Sequence, residues 1–505
     1  MISKKHLLFS CYLFSVSLWG QELSFTVLDS LTKESIPFAT ITTNFKQNSI
    51  TNEEGVFRLS KEGGFTNQDS LFISCIGFKS YAKGVSQMLD SLIYLPQKSI
   101  ELNDVILSQN NLSAGEIIKK VRQNIEEKYD LSLTKKLFFM RESSYENWDQ
   151  LDMTVKKTSI KEFNQSFWDS LFLTIPKKDS WHTESFGELS GNWSLEKQKL
   201  KLIRAVDLAD TINEKGYEQI ENKITGILDR TVKDKSYFKF KSGLFSTKVD
   251  RDELIEKALD SIPLDSVGLA KKTQKEEKLK ESFLKRRQGK LGNTFEGLIK
   301  KNKLDFNVLN KANLYTFEVM NFTYMDNVPV YQIQFSPKSS KGKFKGTLFI
   351  DADSYTLIQM NYVNTKPLKD FSLLGFSLQV YRQNIFLKFG KFDGEKYQLQ
   401  YIEKELNYRI GVNRPIKLLE KNKYVSGRRK QNELKAELDL KIDQANRFTL
   451  IIFESKPLSQ KEFEDTETQK GFKQDKLNAY DPNYWRDYTI IEPNEMIRSF
   501  KVGSE

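Results

Sequence analysis

The sequence predicts an α+β protein of several domains: an N-terminal β-sandwich, a mixed helical middle region and a large antiparallel β-meander. Three observations lead to this prediction. Short alternating strands fill residues 21–108, helical periodicity appears in 109–312, and long alternating strands return in 313–456. A chain of 505 residues also exceeds the ~100 to 200 residues typical of one domain.

The first 20 residues are predicted to be a removable secretion signal. Lys4 and Lys5 give it a positive start, Leu7 to Leu18 an apolar run, and Gly20 a small residue near the cleavage point. The apolar run falls short of the ~20 residues that span a bilayer. We therefore expect an exported protein, either periplasmic or associated with the outer membrane.

Four pairs of alternating apolar residues mark strands in residues 21–108. They are Phe25 with Val27, Ala39 with Ile41, Phe57 with Leu59, and Leu71 with Ile73. Gly55 and Gly77 are predicted to take turn or bulge conformations that a side chain would hinder. Strands this close together, with no helical pattern between them, predict a small β-sandwich.

The sequence of this segment resembles that of the carboxypeptidase regulatory-like domain, a transthyretin-like sandwich of Gram-negative envelope proteins. The matching residues are Val27 and Asp29, Ile36 to Ala39, Thr51 to Phe57, Asp69 to Phe78, and Leu102 with Val105. The resemblance implies an envelope protein whose β-sandwich is an interaction or spacer module. It covers about the first fifth of the chain.

The same resemblance does not imply a carboxypeptidase. In metallocarboxypeptidases such a domain accompanies a catalytic domain that holds zinc through histidines and a glutamate. The chain has two histidines, and His6 lies in the signal, so His182 alone would remain. One imidazole is too few for such a site. We expect neither a metal nor a cofactor, and we expect His182 to be a packing residue.

The middle region begins with a predicted helix, because Ser113 to Glu116 form a capping box before an apolar stripe. The other elements predicted here are strands at Leu137 to Tyr145 and Leu151 to Val155, and helices at Ile160 to Leu171 and Leu254 to Leu259. Ser236 to Phe245 resembles a middle-region sequence of the same broad group of envelope proteins. Residues 271–303 are predicted to form a basic helix.

This basic segment carries most of the net charge of +11. From Lys271 to Lys303 there are twelve basic and four acidic residues, a net charge of +8. One interpretation is contact with an anionic surface. The other is a solvated helix stabilised by pairs such as Glu281 with Lys285. No motif for nucleic-acid binding accompanies the charge, so a nucleic-acid partner is not expected.

The segment 313–456 is predicted to be an antiparallel meander, with turns at Asp326-Asn327, Asp353-Ser354 and Asp393-Gly394. Its wording resembles strands that precede the barrel of larger envelope proteins and, more distantly, the half-barrel that carries lipoproteins across the periplasm. The resemblance implies a curved sheet around an apolar groove. The alternative is a sheet whose face is filled by the protein's own helices.

The tail, 457–505, concentrates aromatic residues from Tyr480 onwards and is predicted to end in a helix at Asn494 to Phe500. One interpretation is a strap that packs onto the meander. The other is a docking segment for another envelope protein, because exposed aromatic residues favour interfaces.

No catalytic motif is recognisable in the sequence. Two carboxylate pairs, Asp351 with Asp353 and Glu403 with Glu405, are of the type that can serve acid–base chemistry. The single mature cysteine, Cys75, is predicted to be an inert strand residue. None of them is assigned a catalytic, cofactor or metal role.

The sequence therefore predicts a non-enzymatic protein whose meander is a binding platform for an envelope protein or an apolar ligand. The alternative is a periplasmic carrier of a lipid or lipoprotein in a curved-sheet groove, and a hydrolase of unknown type ranks below both.

Overall fold

The computed structural model describes residues 23–501, except 44–45, 60–67, 89, 99–111, 124, 210, 244, 251–265, 301–302, 305, 326–327 and 393. The predicted signal, Leu102 and Val105, the helix at Leu254 to Leu259, and Asp326-Asn327 are not among the described residues. The described residues form two compact units, the first comprising 23–98, 321–330 and 481–499, and the second the remainder. None of the described helices is long and apolar enough to cross a membrane.

Seven short strands build two sheets in the first unit. They are β1 (Leu23–Asp29), β2 (Thr40–Thr43), β3 (Lys46–Ile50), β4 (Val56–Leu59), β5 (Ser70–Ser74), β6 (Tyr81–Gly84) and β7 (Leu92–Leu95). One sheet has the order β4-β1-β7 and the other β3-β2-β5-β6. Residues of both sheets share one core, including Phe25, Phe57, Ile41 and Leu71. Two sheets over one core form a β-sandwich, because each must cover its apolar side.

Gly55 and Gly77 take the conformations that the sequence predicts, with φ angles of +74° and +87°. A β-carbon on Gly55 would lie 2.7 Å from the carbonyl oxygen of Val27. A side chain there is therefore excluded by both the backbone angle and the available space.

Residues 481–499 belong to the first unit, whereas one of the two interpretations of the sequence placed the aromatic strap on the meander. Trp485 and Ile490 are buried, and the Asn52 side-chain amide donates a hydrogen bond of 3.2 Å to the carbonyl oxygen of Pro493. The aromatic run shows that the segment needs an apolar partner, but the sequence pattern does not say which one.

A large, mainly antiparallel sheet dominates the second unit. Its strands include β8 (Thr134–Thr158), β9 (Lys178–Gly191), β10 (Gln198–Ala209), β11 (Ser236–Ser242), β12 (Phe245–Asp250), β15 (Tyr315–Met325), β16 (Val328–Pro337), β17 (Phe344–Asp351), β18 (Leu357–Asn364), β19 (Lys369–Leu373), β20 (Phe376–Lys391), β21 (Tyr397–Asn422), β22 (Lys430–Pro457) and β23 (Asp475–Leu477). The main path is β15-β16-β17-β18-β20-β21-β22-β8-β9-β10-β23, while β11 pairs with β12 and β21, and β19 pairs with β20. The short strands β13 (Ile299–Lys300) and β14 (Lys303–Leu304) form a separate pair.

The middle region and the meander thus contribute to the same sheet. β8 pairs with β22 along almost its whole length, from Thr134 opposite Pro457 to Thr158 opposite Leu434. The two strands predicted between Leu137 and Val155 are one strand in the structure. The polar residues between them are tolerated because they lie on a partly exposed part of the sheet.

The helices are α1 (Ala114–Val121), α2 (Ile125–Lys128), α3 (Gln165–Phe172), α4 (Thr211–Thr231), α5 (Ser266–Glu296), α6 (Asn307–Asn310), α7 (Gln460–Asp465) and α8 (Glu495–Arg498). The capping box predicted for α1 is present between Ser113 and Glu116. α3 begins later than predicted, after its cap Asn164, and α8 is shorter than predicted. The basic helix ends at Glu296 rather than at 303, since β13 and β14 follow.

Candidate functional site

The carboxylates that the sequence analysis singled out have structural partners. Asp351 closes the predicted turn, because its Oδ1 accepts hydrogen bonds of 2.9 Å from the backbone N–H groups of Asp353 and Ser354. Its Oδ2 accepts a 2.9 Å bond from the Tyr397 hydroxyl. Burial and then the Asp351 charge raise the pKa of Tyr397. Asp351 is therefore held in place by the fold, and not paired with Asp353 for acid–base chemistry.

Glu403 and Glu405 share one side of β21, which we call the belt face. Strand register places two polar rows across it: Glu403, Thr449, Arg141 and Glu184, and then Glu405, Arg447, Ser143 and His182. Arg141 Nε lies 2.6 Å from Glu184 Oε1, and both side chains are buried. Cross-strand neighbours meet on one face of a sheet, so residues far apart in the sequence form one polar belt.

His182 is a buried packing residue in this belt. Its ring packs edge-on against Tyr145 and Phe500, at centroid distances of 5.5 and 5.6 Å, and its Nδ1 lies 2.8 Å from Ser143 Oγ. Burial and then the Arg141 charge lower the pKa of His182 to about 3, so the ring is neutral at physiological pH. Within the described part of the chain, no three His, Cys, Asp or Glu side chains are grouped as metal ligands.

Cys75 lies one residue beyond β5, rather than inside the strand as predicted, and is partly exposed. It packs against the sandwich core together with Phe78. Cys75 is therefore a packing residue next to the strand, and its predicted place inside the strand was wrong by one residue.

The opposite side of the same strands, which we call the open face, carries apolar side chains on both sides of a polar row through Tyr408, Gln444 and Glu146, and it is incompletely covered. Six of its large side chains are more than a third exposed: Phe371, Leu373, Phe376, Leu406, Ile410 and Trp181. They lie on β19, β20, β21 and β9, and the register through β22 and β8 places them on one face of the sheet. Half-buried apolar residues continue this face between them, namely Leu378, Val412, Leu440, Ile442, Trp148 and Leu151.

Among the described residues, helices cover the open face at its two ends. At one end, Phe163, which precedes α3, packs with Phe167 of α3 and Ile227 of α4 near Leu418. At the other end, α5 lies over Phe448 and Glu142, with the Lys290 Nζ 4.8 Å from the Phe448 ring centroid. The sequence predicts either an open groove or a sheet filled by the protein's own helices, and the described residues show filled ends with an exposed middle.

Two hairpin tips border the open face beside α3 and α4. Arg414 is buried and joins them, because its Nε donates to the Ser242 hydroxyl at 2.7 Å and its Nη1 donates to the Leu374 carbonyl. Its guanidinium also lies 4.5 Å from the Phe376 ring centroid. Leu374 has a φ of +50°, which is unfavourable for a leucine, and it is exposed at the tip.

Lysines surround one buried carboxylate near the start of β22. Lys157, Lys417, Lys430 and Lys435 all lie within 3.7 Å of Glu433, whose side chain is 4% exposed. The hydrogen bond from Lys430 is the largest cause that lowers the pKa of Glu433, to about 2. The cluster has an excess of positive charge. Its lysines come from three segments that lie far apart in the sequence.

We expect this cluster to make stability depend on pH. Because the pKa of Glu433 is lower in the folded state than its ordinary 4.5, its contribution is complete above about pH 4.5 and is lost as the pH falls towards 2. Glu433→Gln should lower the free energy of unfolding by about 1 kcal/mol at pH 7 and make no difference near pH 2. Urea unfolding at several pH values measures this.

Glu437→Gln is the matched control, since Glu437 is 61% exposed and contacts only Lys156, at 3.2 Å, among the ion pairs described. It should change stability little at any pH. Equal, pH-independent losses in both variants would contradict a special role for Glu433.

The basic helix α5 is not a uniformly solvated face. Lys285 pairs with Glu281 at 2.5 Å on the exposed side, as the sequence predicts. Arg287, in contrast, is 6% exposed and lies on the apolar side with Phe283 and Leu291. Its Nη2 is 2.7 Å from Glu142 Oε2. Part of the basic charge therefore serves to fix α5 to the sheet.

No protein-family model and no curated protein matches the chain. Among solved structures, it is similar to a LolA superfamily protein from Nitrosomonas europaea, with 8% identity and a TM-score of 0.16, over 70% of this chain and 98% of that chain. It is also similar to MucB, with 7% identity and a TM-score of 0.15, over 65% of this chain and 92% of that chain. TM-scores this low establish neither the fold nor the function of this chain.

Proposed function

We propose that the protein is an exported, non-enzymatic lipid-binding protein of the cell envelope, and that its open face holds the acyl chain of a lipid or lipoprotein. The observation that carries this proposal is the run of exposed apolar side chains across adjacent strands, including Phe376, Leu406 and Ile410. A large apolar patch on a soluble protein marks a binding surface, because each Å² left in water costs ~25 cal/mol.

An acyl chain fits this surface better than a peptide does. The strands that form it, β20, β21, β22 and β8, already pair on both sides, so their backbone groups are used within the sheet. The rows through Ile410 and Val412 offer apolar side chains from each strand. A peptide backbone on these rows would lose hydrogen bonds to water without replacement, whereas an acyl chain has none to lose.

The β-sandwich of the first unit is proposed as the carboxypeptidase regulatory-like module that its wording resembles. In this proposal it is an accessory interaction or spacer module, and lipid binding belongs to the second unit. The sandwich architecture of two sheets over one core supports this assignment.

The proposal is tested with Ile410→Glu and a dansyl-labelled fatty acid. A carboxylate in the middle of the open face should raise the Kd at least about tenfold, because the acyl chain would have to cover a charge. Fluorescence titration measures the Kd, and lipid extraction followed by mass spectrometry should recover lipid from the wild-type protein.

Asn413→Glu is the matched control, because Asn413 is exposed on the belt face of the same strand and the added charge is the same. It should leave the Kd unchanged. Equal affinity in the wild type and Ile410→Glu, or a wild-type protein that binds no fatty acid and yields no lipid, would overturn the proposed function.

A further inference from the structure

The open face becomes charged towards α5. Register places Lys404, Phe448 and Glu142 side by side in one row, which α5 covers. Two residues further along β21 on the same face comes the exposed Leu406, ~6.6 Å away at 3.3 Å per residue. The apolar face therefore has a cationic end.

Positive charge at this end exceeds what its carboxylate can balance. Glu142 accepts ion pairs from both Arg287, at 2.7 Å, and Lys290, at 3.0 Å. Lys404 is a third cation in the same row, near Lys290, and within the described residues it makes no hydrogen bond or ion pair. The local surplus is two positive charges.

Arg287 provides an independent sign of a missing anion. Its side chain is more than nine-tenths buried, yet its Nε and Nη1 have no hydrogen-bond partner among the described residues. Only its Nη2 is used, by Glu142. A buried guanidinium with free donors is costly, and a phosphate or carboxylate oxygen is the partner that its planar fork fits best.

The pKa of Lys404 is also consistent with a missing anion at this end of the open face. Burial and then the nearby Lys290 charge lower the pKa of Lys404 to about 8. A neighbouring anion would reverse both effects, since it would compensate the charge that burial and Lys290 disfavour.

We propose that Lys404, Lys290 and Arg287 bind the phosphate of an anionic lipid headgroup, while the acyl chains of the same lipid lie along the open face. The inference rests on the proposed function, because a lipid is favoured over free phosphate only by the apolar surface that begins at Leu406. Beyond Leu406 on the same face, the Tyr408 hydroxyl donates to Gln444, which donates to Ser144 at 3.0 Å, so polar groups also lie between Leu406 and Ile410.

The test compares two lipids with identical short chains, dihexanoyl phosphatidylglycerol and dihexanoyl phosphatidylcholine, with inorganic phosphate as a third probe. Isothermal titration on the full chain should show phosphatidylglycerol binding about tenfold more tightly than phosphatidylcholine, and phosphate alone binding far more weakly. Lys404→Gln should weaken phosphatidylglycerol binding more than phosphatidylcholine binding and so remove most of that preference, because the phosphate of phosphatidylcholine is already compensated by its own choline cation. Lys441→Gln, on the exposed belt face of β22, is the control and should change neither affinity.

The outcomes separate this inference from the proposed function. If both lipids bind equally and Lys404→Gln has no effect, the headgroup site is wrong and the acyl-chain site stands. If neither lipid binds, both fail. If inorganic phosphate binds as tightly as phosphatidylglycerol and Lys404→Gln weakens it, the cations serve a free anion, and the lipid headgroup is excluded. Unfolding of Lys404→Gln in urea at the wild-type midpoint shows that the fold is retained.

Discussion

Glu184→Ala is expected to lower the free energy of unfolding of the second unit by about 3 to 5 kcal/mol. Arg141 and Glu184 face each other across β8 and β9 at 2.6 Å, with side chains 7% and 1% exposed. Removing the carboxylate leaves the guanidinium buried beside it without that partner. The cost of desolvating that charge then opposes folding. Urea unfolding, followed by a probe in the second unit, measures the change.

A surface pair on the same strands provides the control. Glu188 lies on β9 and pairs with Lys135 at 2.9 Å, but these side chains are 24% and 46% exposed. Glu188→Ala should cost less than about 1 kcal/mol, because exposed ion pairs contribute little. The double replacement Arg141→Met with Glu184→Leu should cost less than Glu184→Ala, since it leaves no buried charge. Equal losses for Glu184→Ala and Glu188→Ala would contradict the buried-pair explanation.

The parts of the fold that the sequence predicted are those governed by local rules. Alternation at Phe25 with Val27 and at Phe57 with Leu59 identified strands that are buried on one side in the structure. Gly55 was recognisable because a turn with positive φ excludes most other residues. The capping box at Ser113 and the pair of Glu281 with Lys285 are likewise local, since their partners lie three or four residues apart.

The parts that escaped prediction depend on pairings between distant residues. Leu137 to Val155 was read as two strands, because nothing local shows that β22 supplies a continuous partner. The residues that form the open face could not be identified for the same reason. Leu378, Ile410 and Ile442 are each ordinary strand residues, and only the register of β20, β21 and β22 places them side by side. Arg287 resembled its solvated neighbours until the packing of α5 was known.

The C-terminal segment contributes a buried tryptophan to the first unit. Trp485 is 1% exposed and packs edge-on against Tyr484, at a centroid distance of 5.0 Å. Trp485→Ala removes a large buried side chain and leaves a cavity. We expect it to lower the free energy of unfolding of the first unit by about 3 to 5 kcal/mol.

Hydrogen exchange locates this effect better than a global unfolding curve does. In Trp485→Ala, amide protection should fall in β4 of the first unit, where Arg58 forms an ion pair of 2.9 Å with Glu492. Met496→Ala is the control from the same segment, because Met496 is 57% exposed and its loss should cost less than about 0.5 kcal/mol. If Trp485→Ala leaves β4 protected to the same extent as Met496→Ala does, residues 481–499 lie on the sandwich without stabilising it. A fall in protection confined to the first unit would show instead that its core is completed by residues more than 400 positions away in the chain.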